Sequence, residues 1–292
     1  MGHSLRSLKP VPRRIEEDSY ELGSRFRRDR TQRVGSQQDQ NSGRRFYAIL
    51  VPPPDTCFPL EYAFHLLGDV RDKLVLDLGC GSGEEVRPLG KRGARVIGID
   101  ISPHLIAIAE ERLRRQGVDA EVRVGSAYET YLPDQSVDVV FCMSLLHHLE
   151  LDRVKNEILR VLKPDGLFIL KEPIRLSWTM RQLRRLFPSK EDVSEFEYPL
   201  NSEQLSELAE GFQVVASRSF RTPFVPLLAR MIKGPYQKGI WSRDAWLLKR
   251  LPALAHFATI RVMALRPAMA SVALGSHRDQ SANGSVVVAS RS

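Results

Sequence analysis

Two rhythms of apolar and polar residues alternate along this chain from Lys73 onward. Short apolar runs stop at a glycine or a charged residue, and longer stretches between them carry apolar residues three or four positions apart. The runs "KLVLDLG" (73–79), "ARVIGID" (94–100), "AEVRVG" (120–125), "VDVVFCM" (137–143) and "LFILKE" (167–172) predict five strands. "FQVVAS" (212–217) and "FATIRVMAL" (257–265) are less regular and add two strand candidates. The stretch 102–117 predicts a helix: Ser102 suits the cap, Pro103 the first helical position and Gly117 the stop. Its residues Leu105, Ile106, Ala109 and Leu113 share one face. A second helix is predicted over 151–166, with Val154, Ile158, Val161 and Leu162 inward and a turn at Pro164, Asp165 and Gly166. "LEYAFHLL" reads as a short helix leading into the first strand. Alternating strands and helices imply a doubly wound α/β sheet, mostly parallel and covered on both faces. Ligands of such sheets bind at the carboxyl ends of the strands.

Composition adds scale and charge. The 292 residues are 42% hydrophobic, enough for a substantial core, and carry a net charge of +8. The excess is uneven: residues 1–45 hold eleven Lys or Arg against six acids. That stretch is otherwise mostly Gln, Ser and Gly, and aromatics do not alternate with the arginines as base-stacking platforms would. A disordered basic arm over 1–42 is the expectation, ahead of a grip on nucleic acid. Residues 267–292 read as a flexible tail. Cys57, Cys80 and Cys142 lie far apart without a CxxC pair, so neither zinc nor a disulfide framework is expected. Neither a secretory leader nor a long apolar span is seen, which makes cytoplasm the default expectation.

The candidate chemistry begins at "LVLDLGCGSGEE", Leu74 to Glu85. Gly79, Gly81 and Gly83 follow an apolar run, as in a phosphate-binding turn. A dinucleotide loop, however, has its third glycine where Glu84 stands, and Glu85 follows. Carboxylates at a helix start compete for its positive dipole and repel phosphate. A ligand without phosphate and carrying positive charge removes that conflict. S-adenosylmethionine, an adenosine with a sulfonium and an amino acid end, meets the description. Glycines let the backbone approach it closely. Asp100 ends the second strand, where a carboxylate can accept both ribose hydroxyls.

The chain resembles the class I S-adenosylmethionine-dependent methyltransferases over about residues 58–218. "VLDLGCGSG" resembles their cofactor loop and "VIGIDISP" their ribose strand. "GSAYETYLPDQSVDVVFCMSLLHHL" resembles the adenine loop and fourth strand, and "ILRVLKPDGLFIL" the fifth strand with its preceding helix. The resemblance implies a mostly parallel seven-stranded Rossmann-like sheet over 43–266. It implies that Asp77, Gly79, Gly81 and Gly83 hold the methionine end, with Cys80 a small filler within that set. Asp100 would take the ribose, Ile101 would pack on the adenine, and Ser126 and Ala127 would border its amino group. Many relatives carry Asp where Ser126 stands. Cys142 to Ser144 would line the loop beside the reacting methyl. Pro88 falls inside the helix expected after the glycine loop and should shorten or kink it.

Methyl transfer to a carbon activated by a sulfonium needs alignment and dryness, and a base only where the acceptor must lose a proton. His147 and His148, just past the fourth strand, are the base candidates, although "LHHL" accompanies unrelated acceptors in the family. The stretches 173–200 and 220–256 are the least family-like. "RLSWTMRQLRRLF" places Leu176, Met180, Leu183 and Phe187 on one stripe with arginines beside it: a lid helix, or an interfacial helix touching lipid. A small-molecule or lipid-like acceptor, as in the quinone-biosynthesis subgroup, is the resulting expectation. The alternatives are an RNA or protein methyltransferase using the basic arm, and a cofactor-binding module without catalysis.

Overall fold

The computed structural model describes residues 52–175, 199–222 and 237–268. The expected basic arm, the C-terminal tail and most of the amphipathic stretch after Arg175 lie outside the described residues. Helix α1 (Pro59–Leu67) leads into β1 (Leu74–Leu78), followed by α2 (Val86–Lys91), β2 (Arg95–Asp100), α3 (Pro103–Arg115) and β3 (Glu121–Val124). Then come β4 (Val137–Met143), a 3-10 turn (Leu146–His148), α4 (Leu151–Val161) and β5 (Leu162–Pro173). The remainder is α5 (Ser202–Ala209), β6 (Phe212–Phe220), α6 (Gln237–Arg250), a second 3-10 turn (Pro252–Phe257) and β7 (Ile260–Pro267).

The seven strands form one sheet in the order β3-β2-β1-β4-β5-β7-β6. The first five run parallel, and β7 is antiparallel to both its neighbours. The order reverses direction at β1, so β1 and β4 diverge at the switch point where ligands of doubly wound sheets bind. Phe64, Leu67, Val86, Leu89, Ile106 and Leu113 cover one face; Val154, Ile158, Val161, Leu205 and Leu208 cover the other. After Asp138, strand β4 reads as a continuous apolar run because both faces are buried, which is what a central parallel strand requires.

Local signals explain most boundaries. Ser102 Oγ accepts the Leu105 amide at 3.3 Å and Pro103 occupies the first turn, so α3 starts where the sequence places it. Helix α2 is only six residues long with Pro88 in its middle. The helix expected over 151–166 ends instead at Val161, because Leu162 is already extended and pairs with Val137. Pro164 disfavours helical geometry at the residue before it, so the "LKPDG" segment becomes the start of a long, irregular β5.

The two sides of the sheet differ in charge. Residues 52–175, which build β1 to β5, contain twenty Asp and Glu against sixteen Lys and Arg. The antiparallel extension, residues 212–222 and 237–268, contains eight Lys and Arg against one acid, Asp244. That acid is spent internally: it is buried, and Thr222 Oγ1 donates to Asp244 Oδ1 at 2.5 Å, tying α6 to the end of β6.

Candidate active site

The glycine turn leaves β1 at its carboxyl end with Gly79, Gly81 and Gly83 all at positive φ. Its amides point into the protein. Gly79 N and Cys80 N both donate to Ile99 O, at 2.8 and 3.0 Å. Gly81 N donates to Asp100 Oδ2 at 2.9 Å, and Gly83 N to Cys80 O at 2.9 Å. A phosphate-binding turn keeps such donors for its anion; here four of them are already used.

The acids divide into two kinds. Glu84 is half-exposed and lies 4.0 Å from the guanidinium of Arg112, which also donates to Ser82. It is therefore not one of the acids turned on the ligand, contrary to the symmetrical role the sequence suggests. Asp77 is 2% exposed, and its Oδ2 is buried without a hydrogen-bond partner among the described residues. Burial, with Glu85 and Asp100 adding to it, pushes its carboxyl well above the ordinary carboxylate range. A buried, unpartnered carboxylate among like charges is a position that a cationic ligand group stabilises.

Asp100 stands at the end of β2. Its oxygens accept Gly81 N and Ser102 N, both at 2.9 Å, so it organises the turn and caps the approach to α3. Ile101 follows, half-buried. Gly125 N donates to Asp100 O at 3.0 Å, which brings Ser126 and Ala127 beside the same strand end. Ser126 Oγ accepts the Tyr128 amide at 3.1 Å. Cys80 is wedged against β2: a Cβ on Gly98 would come within 2.9 Å of its Sγ.

The loop after β4 is fixed by two consecutive residues of β5 that sequence reasoning passes over. Lys171 Nζ donates to Ser144 Oγ at 2.6 Å, and Ser144 N returns a bond to Lys171 O at 2.8 Å. Ser144 itself sits at φ 60°, a conformation that a non-glycine residue adopts only when held there. Glu172 is fully buried. Its Oε1 accepts the amides of Leu145 and Leu146, both at 2.9 Å, and its Oε2 lies 2.7 Å from His147 Nδ1. The rings of His147 and His148 are 3.9 Å apart. Leu145 reaches the glycine turn, for a Cβ on Gly79 would lie 2.8 Å from its Cδ2. The signal in the sequence was a Lys-Glu pair closing a buried apolar strand. Burial lowers the Lys171 ammonium below its ordinary value, while Glu172 and Glu85 oppose that shift.

Most sequence-predicted residues therefore gather at one end of the sheet. Cys142 is the exception. Its side chain is 0% exposed in the core with Leu76, Val140 and Leu170, because it alternates inward along β4, and burial pushes its thiol up. It does not line the loop as expected; Ser144 stands at that turn instead.

Residues 76–170 match a family model described as "Methyltransferase domain". That segment is similar to methyltransferase domains. Relatives agree: a probable S-adenosylmethionine-dependent methyltransferase of Mycolicibacterium smegmatis is 33% identical over 143 residues, 48% of this chain and 52% of that protein. A demethylmenaquinone methyltransferase of Lactobacillus johnsonii is 33% identical over 128 residues, 39% of this chain and 52% of that protein. The chain spans about half the length of the curated relatives it matches. Geranyl diphosphate C-methyltransferase from Streptomyces coelicolor A3(2), solved with Mg2+, geranyl diphosphate and S-adenosyl-L-homocysteine, shares the fold at TM-score 0.52 and 16% identity, over 71% of this chain and 79% of that one. The matched segment ends within β5, and the antiparallel strands and α6 lie beyond it.

Proposed function

We propose that this protein transfers a methyl group from S-adenosylmethionine to a small, lipid-like acceptor. The single observation that carries the cofactor half is Asp77, buried and unpartnered beneath a glycine turn whose amides are consumed. The amino acid end of S-adenosylmethionine brings a cation to that carboxylate, and the ribose hydroxyls meet Asp100. Ile101, Ser126 and Ala127 flank the adenine. The cofactor supplies a methyl on a sulfonium, so displacement needs no activation by the protein beyond alignment and exclusion of water.

His147 and Glu172 provide the proton chemistry for a hydroxyl acceptor. Glu172 accepts from Nδ1, which leaves Nε2 as the basic nitrogen of the ring. His147 takes the acceptor's proton as the methyl arrives, and Glu172 keeps the ring turned. His148 packs on the same ring and steadies it. Support for a lipid-like acceptor comes from the quinone named in one relative and from the amphipathic character of the stretches around β6 and β7.

Calorimetry with S-adenosylmethionine, S-adenosylhomocysteine and NAD tests the cofactor: the first two bind, and binding of NAD alone overturns the reading. Glu172→Gln tests the base. The glutamine oxygen still accepts the two loop amides, but its NH2 faces Nδ1 and forces the opposite tautomer. Turnover of a hydroxyl acceptor should fall by about 10²–10⁴ with cofactor affinity kept. Unchanged turnover and an unchanged pH profile remove His147 from the chemistry.

A further inference from the structure

The antiparallel extension concentrates two properties that the rest of the described chain lacks. All large apolar residues left exposed among the described residues, Val214, Val215, Trp246 and Leu251, belong to it. So does the positive charge described above. The two properties coincide where α6 runs into the turn before β7. Trp246 is 59% exposed and Leu251 is 52% exposed. Arg243, Lys249 and Arg250 are exposed around them, and Arg250 stacks over the Trp246 ring at 5.6 Å. The one acid of the helix, Asp244, faces inward to Thr222, so among the described residues the exposed charges of this helix are cations.

Topology places the patch at the functional end. β7 is antiparallel, so its first residue, Ile260, pairs with the last residues of β5 and β6, Pro173 and Phe220. Ile174 N donates to Thr259 O at 2.8 Å. The end of α6 and the following turn therefore stand at the same edge as the glycine turn and the His147 loop. An indole with a guanidinium over it, exposed cations on the same helix and an exposed leucine just past the helix end is the composition that settles into the headgroup region of an anionic bilayer.

We propose that the Trp246 surface of α6, with Leu251 just past the helix end, docks this protein on anionic lipid membrane, with the active-site end turned toward the bilayer. The inference builds on the lipid-like acceptor reading but is tested without any acceptor. No helix among the described residues is long and apolar enough to cross a membrane, so contact would be peripheral through this face. Nucleic acid shares the attraction to cations but gives no reason for exposed Trp246 and Leu251, which favours lipid.

The experiment is co-sedimentation of the full chain with vesicles of phosphatidylcholine, alone and mixed with phosphatidylglycerol. Binding should require the anionic lipid and weaken as salt rises. The triple variant Arg243→Gln, Lys249→Gln, Arg250→Gln should partition about a hundredfold more weakly. Trp246→Ser with Leu251→Ser should partition roughly tenfold more weakly, with S-adenosylhomocysteine affinity kept in both as the check on folding. Brominated acyl chains should quench tryptophan fluorescence, and Trp246→Phe should remove that quenching. Partition unchanged in both variants would trace the attraction to the basic N-terminal residues and overturn the proposal. So would an unquenched Trp246, or RNA that displaces the vesicles. A chain that docks as described yet methylates only water-soluble acceptors keeps the membrane face and loses the lipid-like acceptor.

Discussion

The parallel side of the sheet and its antiparallel extension solve opposite problems. β1 to β5 enclose acids: Asp77 is buried with an oxygen unpartnered among the described residues, Glu172 is buried with three partners, and the segment carries a net negative charge. β6, α6 and β7 display cations and leave aromatic and aliphatic side chains in water. The first arrangement suits a small cation in a rigid turn; the second suits a large anionic surface. Strain and buried charge collect on the parallel side, and apolar exposure collects on the extension.

The contrast yields predictions that differ in size. The largest effect should come from Gly79→Val. A branched side chain at φ 77° strains the turn and drives into Leu145, so S-adenosylhomocysteine affinity should fall by roughly a hundredfold or more. An equal loss of vesicle binding in that variant would erase the separation between the two sides. Asp77→Asn comes next. Losing a charge-assisted bond should weaken cofactor binding by about 1.5–3 kcal/mol, while the unliganded protein becomes more stable at neutral pH. The sign follows from the raised carboxyl. Its neutral form is favoured by the fold, so the wild type loses stability as pH rises from the ordinary carboxylate range through the raised value. Asp138 and Glu157, whose carboxyls are lowered, contribute stability above the ordinary range that acid removes, so the Asp77 effect is read as the difference between wild type and variant. Thermal unfolding across pH checks it, and parallel curves would remove the strain from Asp77.

Smaller effects sharpen the account. Asp100→Ala should weaken S-adenosylhomocysteine binding by about 1–3 kcal/mol and also lower the unfolding temperature, since two amides lose their acceptor. Full affinity would take Asp100 out of the ribose role. Cys80→Ala should change affinity by less than about threefold, because the thiol fills space against Gly98. A large loss there would make Cys80 a ligand contact.

Much of the parallel side was legible in the sequence because local rules and tertiary needs agree there. Mainly apolar runs ending at Gly79 and Asp100, and the Ser102-Pro103 start of α3, each point to one structure. The end of α4 was misplaced because amphipathic spacing continues through Leu162, and only pairing with Val137 decides that residue for the strand. Glu172 was invisible as a site residue: its partners are the Leu145 and Leu146 amides and His147, more than twenty positions away, and no spacing rule connects them. Cys142 was misassigned because strand alternation, rather than position near the loop, fixes which way a side chain points. The charge asymmetry of the extension was present in the composition but gained meaning only once antiparallel β7 set α6 at the functional end.

The central claim is that Asp77, buried and held well above the ordinary carboxylate range, waits for a cation. Calorimetry of S-adenosylhomocysteine in buffers of different ionisation heat, repeated from mildly acidic to neutral pH, tests it most directly. The account predicts that binding releases a proton and tightens as pH rises, and that Asp77→Asn loses both behaviours. Binding that releases no proton, or that keeps its pH dependence in Asp77→Asn, contradicts it.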